Sequence, residues 1–411
     1  MKRRLIADSH IGGEVMSNGV MDTAARRKKK RKAGSADFLL TALVLGLVIF
    51  GVIMVFSASY YTALNKEGTP YYYLIRDAIY AALGTVVMAI LAVTDYRIVK
   101  NISYFTYGAC VVLLIVVLFA GTSINNAARW IYIGPISIMP GELAKMGCIF
   151  AIAKFLSEPQ HNARSMKHGV LPSLLMMGIP LLLIIIQPST TTAMTLAVIC
   201  IGMMYVDGMS MKIFAALGGV GALGLGVYII KDGGYKLQRI VSFLNPFADS
   251  QGSGYQVVQS LLALGSGGIT GVGLGKSIQK TLYLPDPQND FIIAIIGEEL
   301  GLVGLIVLLL VYLLLIWRCV RIVIKAPDKY STLVSAGITI MLASQVAMNV
   351  MIATSMMPPT GVALPFVSWG ANSLLIFMAS MGIMLNISSK IDEGELRKGK
   401  KKKRLFRKNS R

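Results

Sequence analysis

Two pairs of acids crowd one short stretch of the chain, LPDPQNDFIIAIIGEEL at residues 284–300. Asp286 and Asp290 stand at the mouth of a long apolar run, and Glu298 and Glu299 lie about two helical turns inside it. A carboxylate fixed at a water-accessible edge can take a proton from a substrate hydroxyl. Pro285 and Pro287 stiffen that edge, and Asn289 adds to its polarity. For Asp290 the plain alternative is helix capping, in which the carboxylate accepts from the free N–H groups of the following helix. On helical spacing Asp290, Ala294, Gly297 and Gly301 share one face, a stripe of small residues suited to close packing.

Acids inside an apolar run need a partner or a wet cavity. PGELAKMG supplies one, with Glu142 and Lys145 at i, i+3 on one helix face. The expectation is a buried Glu–Lys network tying this run to Glu299, with plain packing as the alternative role. Arg129, in NNAARWIYIGP, either meets a phosphate or reaches to the interface with its stem in the apolar layer. GVGLGKS at 271–277 resembles a nucleotide-binding loop but has Thr270 where that motif needs its first glycine. Its glycines could turn N–H groups toward an anion, with Lys276 and Lys280 adding charge, or simply make turns. His10, His161 and His168 form no metal-binding pattern, and Cys110, Cys148, Cys200 and Cys319 show no CxxC spacing. Neither a tightly held metal nor a disulfide framework is expected.

The elements that must position these residues are membrane helices. The 411 residues are 55% hydrophobic and 15% charged, with a mean hydropathy of +0.65. That balance excludes an ordinary soluble domain. Ten apolar runs read as spans, near 38–58, 76–94, 102–121, 140–156, 170–187, 191–206, 213–230, 291–317, 331–353 and 368–387. The predicted fold is therefore an all-α polytopic membrane protein of ten transmembrane helices. Its large extracytoplasmic loop, residues 231–290, lies between spans seven and eight and should carry any chemistry, because long loops without a use are uncommon. A short amphipathic helix is predicted at 254–264. The Pro- and Gly-rich segment 355–373 is predicted to re-enter the membrane and line the same cavity.

Basic tails flank the spans, at 1–37 and from 389 to the end; residues 1–37 and 390–411 hold 21 of the 40 Lys and Arg. Such blocks mark cytoplasmic ends facing anionic lipid, so both termini are placed inside. Nucleic-acid binding is not expected, and both tails are read as disordered. The first apolar run is too long for a cleaved signal core and reads as an uncleaved first helix.

Several long segments in order resemble the SEDS family, the FtsW/RodA/SpoVE group. They are VFSAS (55–59), ARWIYIGPISIMPGELAK (128–145), RIVSFLNPFADSQGSGYQVVQSLLALGSGG (239–268), GVGLGKSIQKTLYLPDPQNDFIIAIIGEELG (271–301) and PPTGVALPFVSWGANSLL (358–375). GYQ (254–256) and GKSIQK (275–280) are closer to the FtsW/SpoVE branch. The resemblance covers roughly 38–388 and implies a peptidoglycan glycosyltransferase of the bacterial cytoplasmic membrane. It would polymerise lipid II on the outer face, for septal or spore wall synthesis. It implies Asp290 as catalytic residue and a membrane cavity lined by Glu142 and Lys145; Glu299 is added to that network from the reading of the residues alone. Arg239, Lys276, Lys280, Arg129, Gln256 and Ser368 become the substrate-binding candidates.

The implied partners are undecaprenyl-linked glycan, a class B penicillin-binding transpeptidase, other division or sporulation membrane proteins, and anionic lipid at the tails. A loosely held divalent cation, Mg or Mn, could assist, and no other cofactor is implied. The chain departs from the family pattern at Gln288, Met139, Gly141, Ser189 and Trp369. Two other readings stay open: a lipid II flippase, and a scaffold that activates its transpeptidase.

Overall fold

The computed structural model describes residues 37–124, 127–133, 136–161, 164–231, 243, 245–249, 251–252 and 254–391. Most of both basic tails and most of 232–253 therefore lie outside the described residues. Among the described residues eleven α-helices run in the order α1 (Phe38–Glu67), α2 (Tyr72–Val93), α3 (Tyr96–Ala120), α4 (Pro140–Ser157), α5 (Leu171–Ile186), α6 (Thr190–Val206), α7 (Met211–Lys231), α8 (Tyr255–Ser266), α9 (Ile292–Lys325), α10 (Lys329–Ala353) and α11 (Ala371–Ser389). Among the described residues seven helical stretches are long and apolar enough to cross a membrane: α1, α2, α3, α5 with the turn before it, α9, α10 and α11. Helices also stand at the other three expected positions. Of these, α6 is only 17 residues long, and α4 carries Glu142, Lys145 and Lys154 within 18 residues.

Local chemistry sets the helix ends. Asp37 caps α1 by accepting from the Leu40 N–H at 3.1 Å, and Gly68 closes it at φ +71°. Asp328 and Ser331 form a reciprocal capping box at the start of α10. Burial separates inner from outer helices. Two thirds (67%) of the apolar stretch is buried in α10 and α11, against 22% in α2 and α3, so the former are core and the latter face outward. Helix α4 joins the core with 14 of its 18 residues buried. Helices α2 and α11 run alongside each other at Gly84 and Gly382. A Cβ at Gly84 would come within 2.4 Å of Met378 Sδ, and one at Gly382 within 2.6 Å of the Met88 carbonyl.

Two features differ from the sequence reading. The all-α expectation misses a small antiparallel sheet between α3 and α4: β1 (Thr122–Ile124), β2 (Ala127–Ile133) and β3 (Ile136–Ile138), with Ser123 opposite Ala128 and Tyr132 opposite Ser137. The eighth expected span is broken at Gly301, which has φ +69° and ψ −170°. The break frees main-chain groups on both sides, and segment 267–273 takes them up. Val272 and Gly273 donate to the Glu298 and Glu299 carbonyls, both at 3.0 Å. Leu302 and Val303 donate back to Gly268 and Ile269 at 3.0 and 3.1 Å. Non-helical backbone at membrane depth needs such internal partners.

Candidate active site

Asp290 sits one residue before the N-cap of α9. That cap position belongs to Phe291, which offers no side-chain acceptor. The Asp290 carboxylate is half-buried and lies against Gly361, where a built Cβ would meet Asp290 Oδ2 at 3.4 Å. Gly361 takes φ +75°, a conformation that favours glycine, so bare backbone faces the carboxylate. The 284–291 and 355–373 segments are thus brought together at this point.

The irregular stretch after Gly361 is held by side chains from the surrounding helices. The carbonyls of Thr360, Val362 and Ala363 accept from Thr191 Oγ1 (2.5 Å), Asn349 Nδ2 (2.5 Å) and Gln345 Nε2 (3.3 Å). Asn349 Nδ2 also donates to the Asp290 carbonyl at 3.0 Å. The Pro365 carbonyl accepts from Tyr312 Oη at 2.5 Å, and Ser368 Oγ accepts from the Leu364 N–H at 2.8 Å. Trp369 N–H donates to the Gln288 carbonyl at 2.9 Å, and its ring packs edge-on against Tyr73. Gln288 is buried, and among the described residues no group donates to its Oε1.

The two glutamates inside α9 face the GKSIQK loop. Glu298 accepts from Ser277 Oγ (2.5 Å), the Ile278 N–H (2.8 Å) and the Gln279 N–H (3.3 Å). Glu299 accepts from Lys280 Nζ at 2.7 Å and from Ser57 Oγ of α1 at 2.7 Å. Glu142 pairs with Lys145 at 2.7 Å, and Lys145 donates onward to Gln345 Oε1 at 3.3 Å. The expected network from Glu142 and Lys145 to Glu299 is therefore corrected: the structure has two separate buried pairs, one leading to α10 and the other to α1. The break at Gly301 is the reason, because it leaves Glu298 and Glu299 on a short first segment wrapped by the loop.

The other sequence-predicted residues are distributed as follows. Lys280 is 3% exposed, with its ammonium on Glu299 and Ser57. Lys276 is exposed, and Gln256 is half-buried in the first turn of α8. Arg129, on β2, donates from Nε to the Gln187 carbonyl at 3.4 Å and from a terminal nitrogen to the Pro188 carbonyl. It thereby braces the turn that leads to Thr191. Ser368 is buried in a main-chain role. Arg239 lies outside the described residues. Asp286 forms an exposed ion pair with Lys66 at 2.8 Å. The residues that sequence reasoning missed are Ser57, Thr191, Gln345 and Asn349. Gln345 and Asn349 do carry a signal, since two amides at i, i+4 inside an apolar run share one helix face.

Among the described residues no group of three or more His, Cys, Asp or Glu side chains gathers that could hold a metal ion.

Known proteins share this architecture along nearly its whole length. Stage V sporulation protein E of Bacillus subtilis (strain 168) is 40% identical over 359 residues, covering 87% of this chain and 98% of its own. A protein of Geobacter sp. (strain M18) named probable peptidoglycan glycosyltransferase FtsW is 33% identical, covering 88% and 99%. Among solved structures, one described as "Structural coordination of polymerization and crosslinking by a peptidoglycan synthase complex" superposes with a TM-score of 0.71 at 27% identity, covering 87% of this chain and 98% of that one. A mutant of the rod shape determining protein RodA of Thermus thermophilus gives 0.65 at 27% identity, covering 86% and 98%. The family described as "Cell cycle protein", FtsW/RodA/SpoVE, matches residues 37–393, and the chain belongs to that family.

Proposed function

We propose that this protein is a peptidoglycan glycosyltransferase that polymerises lipid II on the outer face of the bacterial cytoplasmic membrane. The observation that carries the reading is the Asp290 carboxylate, half-buried against the bare backbone of Gly361 where two irregular segments meet. Relatives named as probable peptidoglycan glycosyltransferases support it. In this reading Asp290 accepts the proton of the acceptor sugar's 4-hydroxyl. That oxygen forms a bond to the anomeric carbon of the donor chain, and the bond to undecaprenyl pyrophosphate breaks. The anomeric centre inverts in the single displacement, by analogy with inverting glycosidases.

The departing pyrophosphate gathers negative charge and calls for cationic neighbours. Lys276 is the exposed candidate, and Arg129 and Arg239 are the other cations assigned to this task. Lys280, closed on Glu299, acts instead by holding the loop. Gln256 and Ser368 contribute to the shape of the site, Ser368 through the main chain it fixes. No step is routed through a metal. A class B penicillin-binding transpeptidase is the proposed partner, in line with the solved relative that couples polymerization and crosslinking. Septal or sporulation work with other membrane proteins, anionic lipid at the tails and cytoplasmic termini complete the proposal.

The flippase reading draws on the broken α9, since transporters use discontinuous helices to hold their cargo. Here the groups freed by the break are occupied by segment 267–273, and the adjoining carboxylates by Lys280 and Ser277. Purified protein with labelled lipid II tests the readings together. The proposal expects glycan chains from the wild type and a loss of about 10²–10⁴-fold in Asp290→Asn. Polymerisation at the wild-type rate by Asp290→Asn would remove the base role. Label crossing the bilayer without glycan formation would favour transport, and neither product would favour the scaffold.

A further inference from the structure

Helix α10 carries two buried amides, Gln345 and Asn349, one turn apart, and both reach the segment that faces Asp290. Asn349 has no solvent exposure, and its one nitrogen spans two carbonyls: Asp290 at 3.0 Å and Val362 at 2.5 Å. Among the described residues no protein group donates to its buried Oδ1. Turning the amide over would set Oδ1 against two carbonyl oxygens, which is unfavourable. The orientation is thereby fixed, and what the amide supplies at this place is its pair of donors.

The two carbonyls are those of the candidate catalytic residue and of the residue after Gly361, the glycine that lies against its carboxylate. One side chain therefore sets the spacing between the Asp290 main chain and the wall opposite its side chain. Gln345 fixes the next carbonyl along, Ala363, and is itself fixed by Lys145, which pairs with Glu142. We propose that Asn349 is a positioning residue for the glycosyl transfer, holding Asp290 in register with Gly361, and that the buried Glu142–Lys145 pair orients its neighbour Gln345 in the same bracket. The inference rests on the reading of Asp290 as the base. It adds a task for a membrane-core ion pair that otherwise touches no reacting group.

The test replaces Asn349 with the near-isosteric Leu in the full-length chain and follows two readouts. In the polymerisation assay, Asn349→Leu should lower kcat by about 10–100-fold, the scale on which a small misplacement acts, with KM for lipid II within about twofold. Gln345→Leu should lower kcat less. The second readout needs no catalysis: a thiol introduced by Asp290→Cys is titrated with a water-soluble maleimide, and adding Asn349→Leu should change its labelling rate several-fold. Should Asn349→Leu not fold, Asn349→Thr is too short to span both carbonyls, and its hydroxyl can bond within the helix backbone. Unchanged kcat, unchanged labelling, or a joint shift of KM and melting temperature that accounts for the lost rate would each overturn the inference. A fully active Asp290→Asn would instead overturn the base reading, while the labelling comparison still decides whether Asn349 holds residue 290 in place.

Discussion

Glu298 and Glu299 are neighbours in sequence, yet they collect different donors because successive helical side chains point about 100° apart. Glu298 gathers the turn of the GKSIQK loop, and Glu299 takes an ammonium and a hydroxyl from two other elements. The Lys280–Glu299 pair is closed off from solvent on both sides, at 3% and 0% side-chain exposure. Removing one member strands the other charge. Lys280→Met is therefore expected to destabilise the protein by about 3–5 kcal/mol, and adding Glu299→Gln should return part of it. Thermal unfolding in detergent compares the two, and a double variant worse than the single one would contradict the pairing. Asp77 of α2 is the reverse case: it is 3% exposed, and among the described residues its Oδ1 lacks a donor. Asp77→Asn keeps the shape and removes a charge that is costly to bury, so its unfolding midpoint should rise or stay level. A clear fall would reveal a cation that the carboxylate serves.

Among the elements, α9 has the least ordinary backbone. Gly301 occupies a region of φ and ψ that is essentially reserved for glycine, and a Cβ there would come within 2.3 Å of the Gly271 nitrogen. Gly301→Ala is expected to cost at least about 1–3 kcal/mol from the backbone alone, with the steric overlap on top. It should be read as reduced folded yield and an earlier melt; a variant as stable as the wild type would mean that α9 can straighten. The break was not legible in the sequence, where GEELGLVG reads as one continuous apolar helix. Its cause is a partner segment some thirty residues upstream, and periodicity carries no information about partners. The strands at 122–138 were hidden differently: RWIYIGPISI is short, and its alternation is easily absorbed into the flank of a span. The short helix α8, by contrast, formed where the amphipathic pattern placed it.

At the scale of the whole molecule, apolar runs are enough to place helices at every expected span, since length and hydropathy are local properties. They also identify Asp290 as the acid at the lip of α9 and the 355–373 segment as its neighbour. What the runs cannot give is depth. Two thirds of the apolar stretch of α10 is buried and only 22% of that of α2, although both are strongly apolar. Residues such as Gln345 and Asn349 gain meaning only once α10 is known to be central. The same limit explains why Lys280, basic and in a loop, reads as a ligand for phosphate and is found inside the protein. The seam at Gly301 has one more consequence. Four main-chain bonds cross between 267–273 and 298–303, two in each direction, so neither strip can open while the other stays closed. Deuterium uptake at Val272, Gly273, Leu302 and Val303 should accordingly advance at one shared rate, tying the loop and the helix into a single breathing unit.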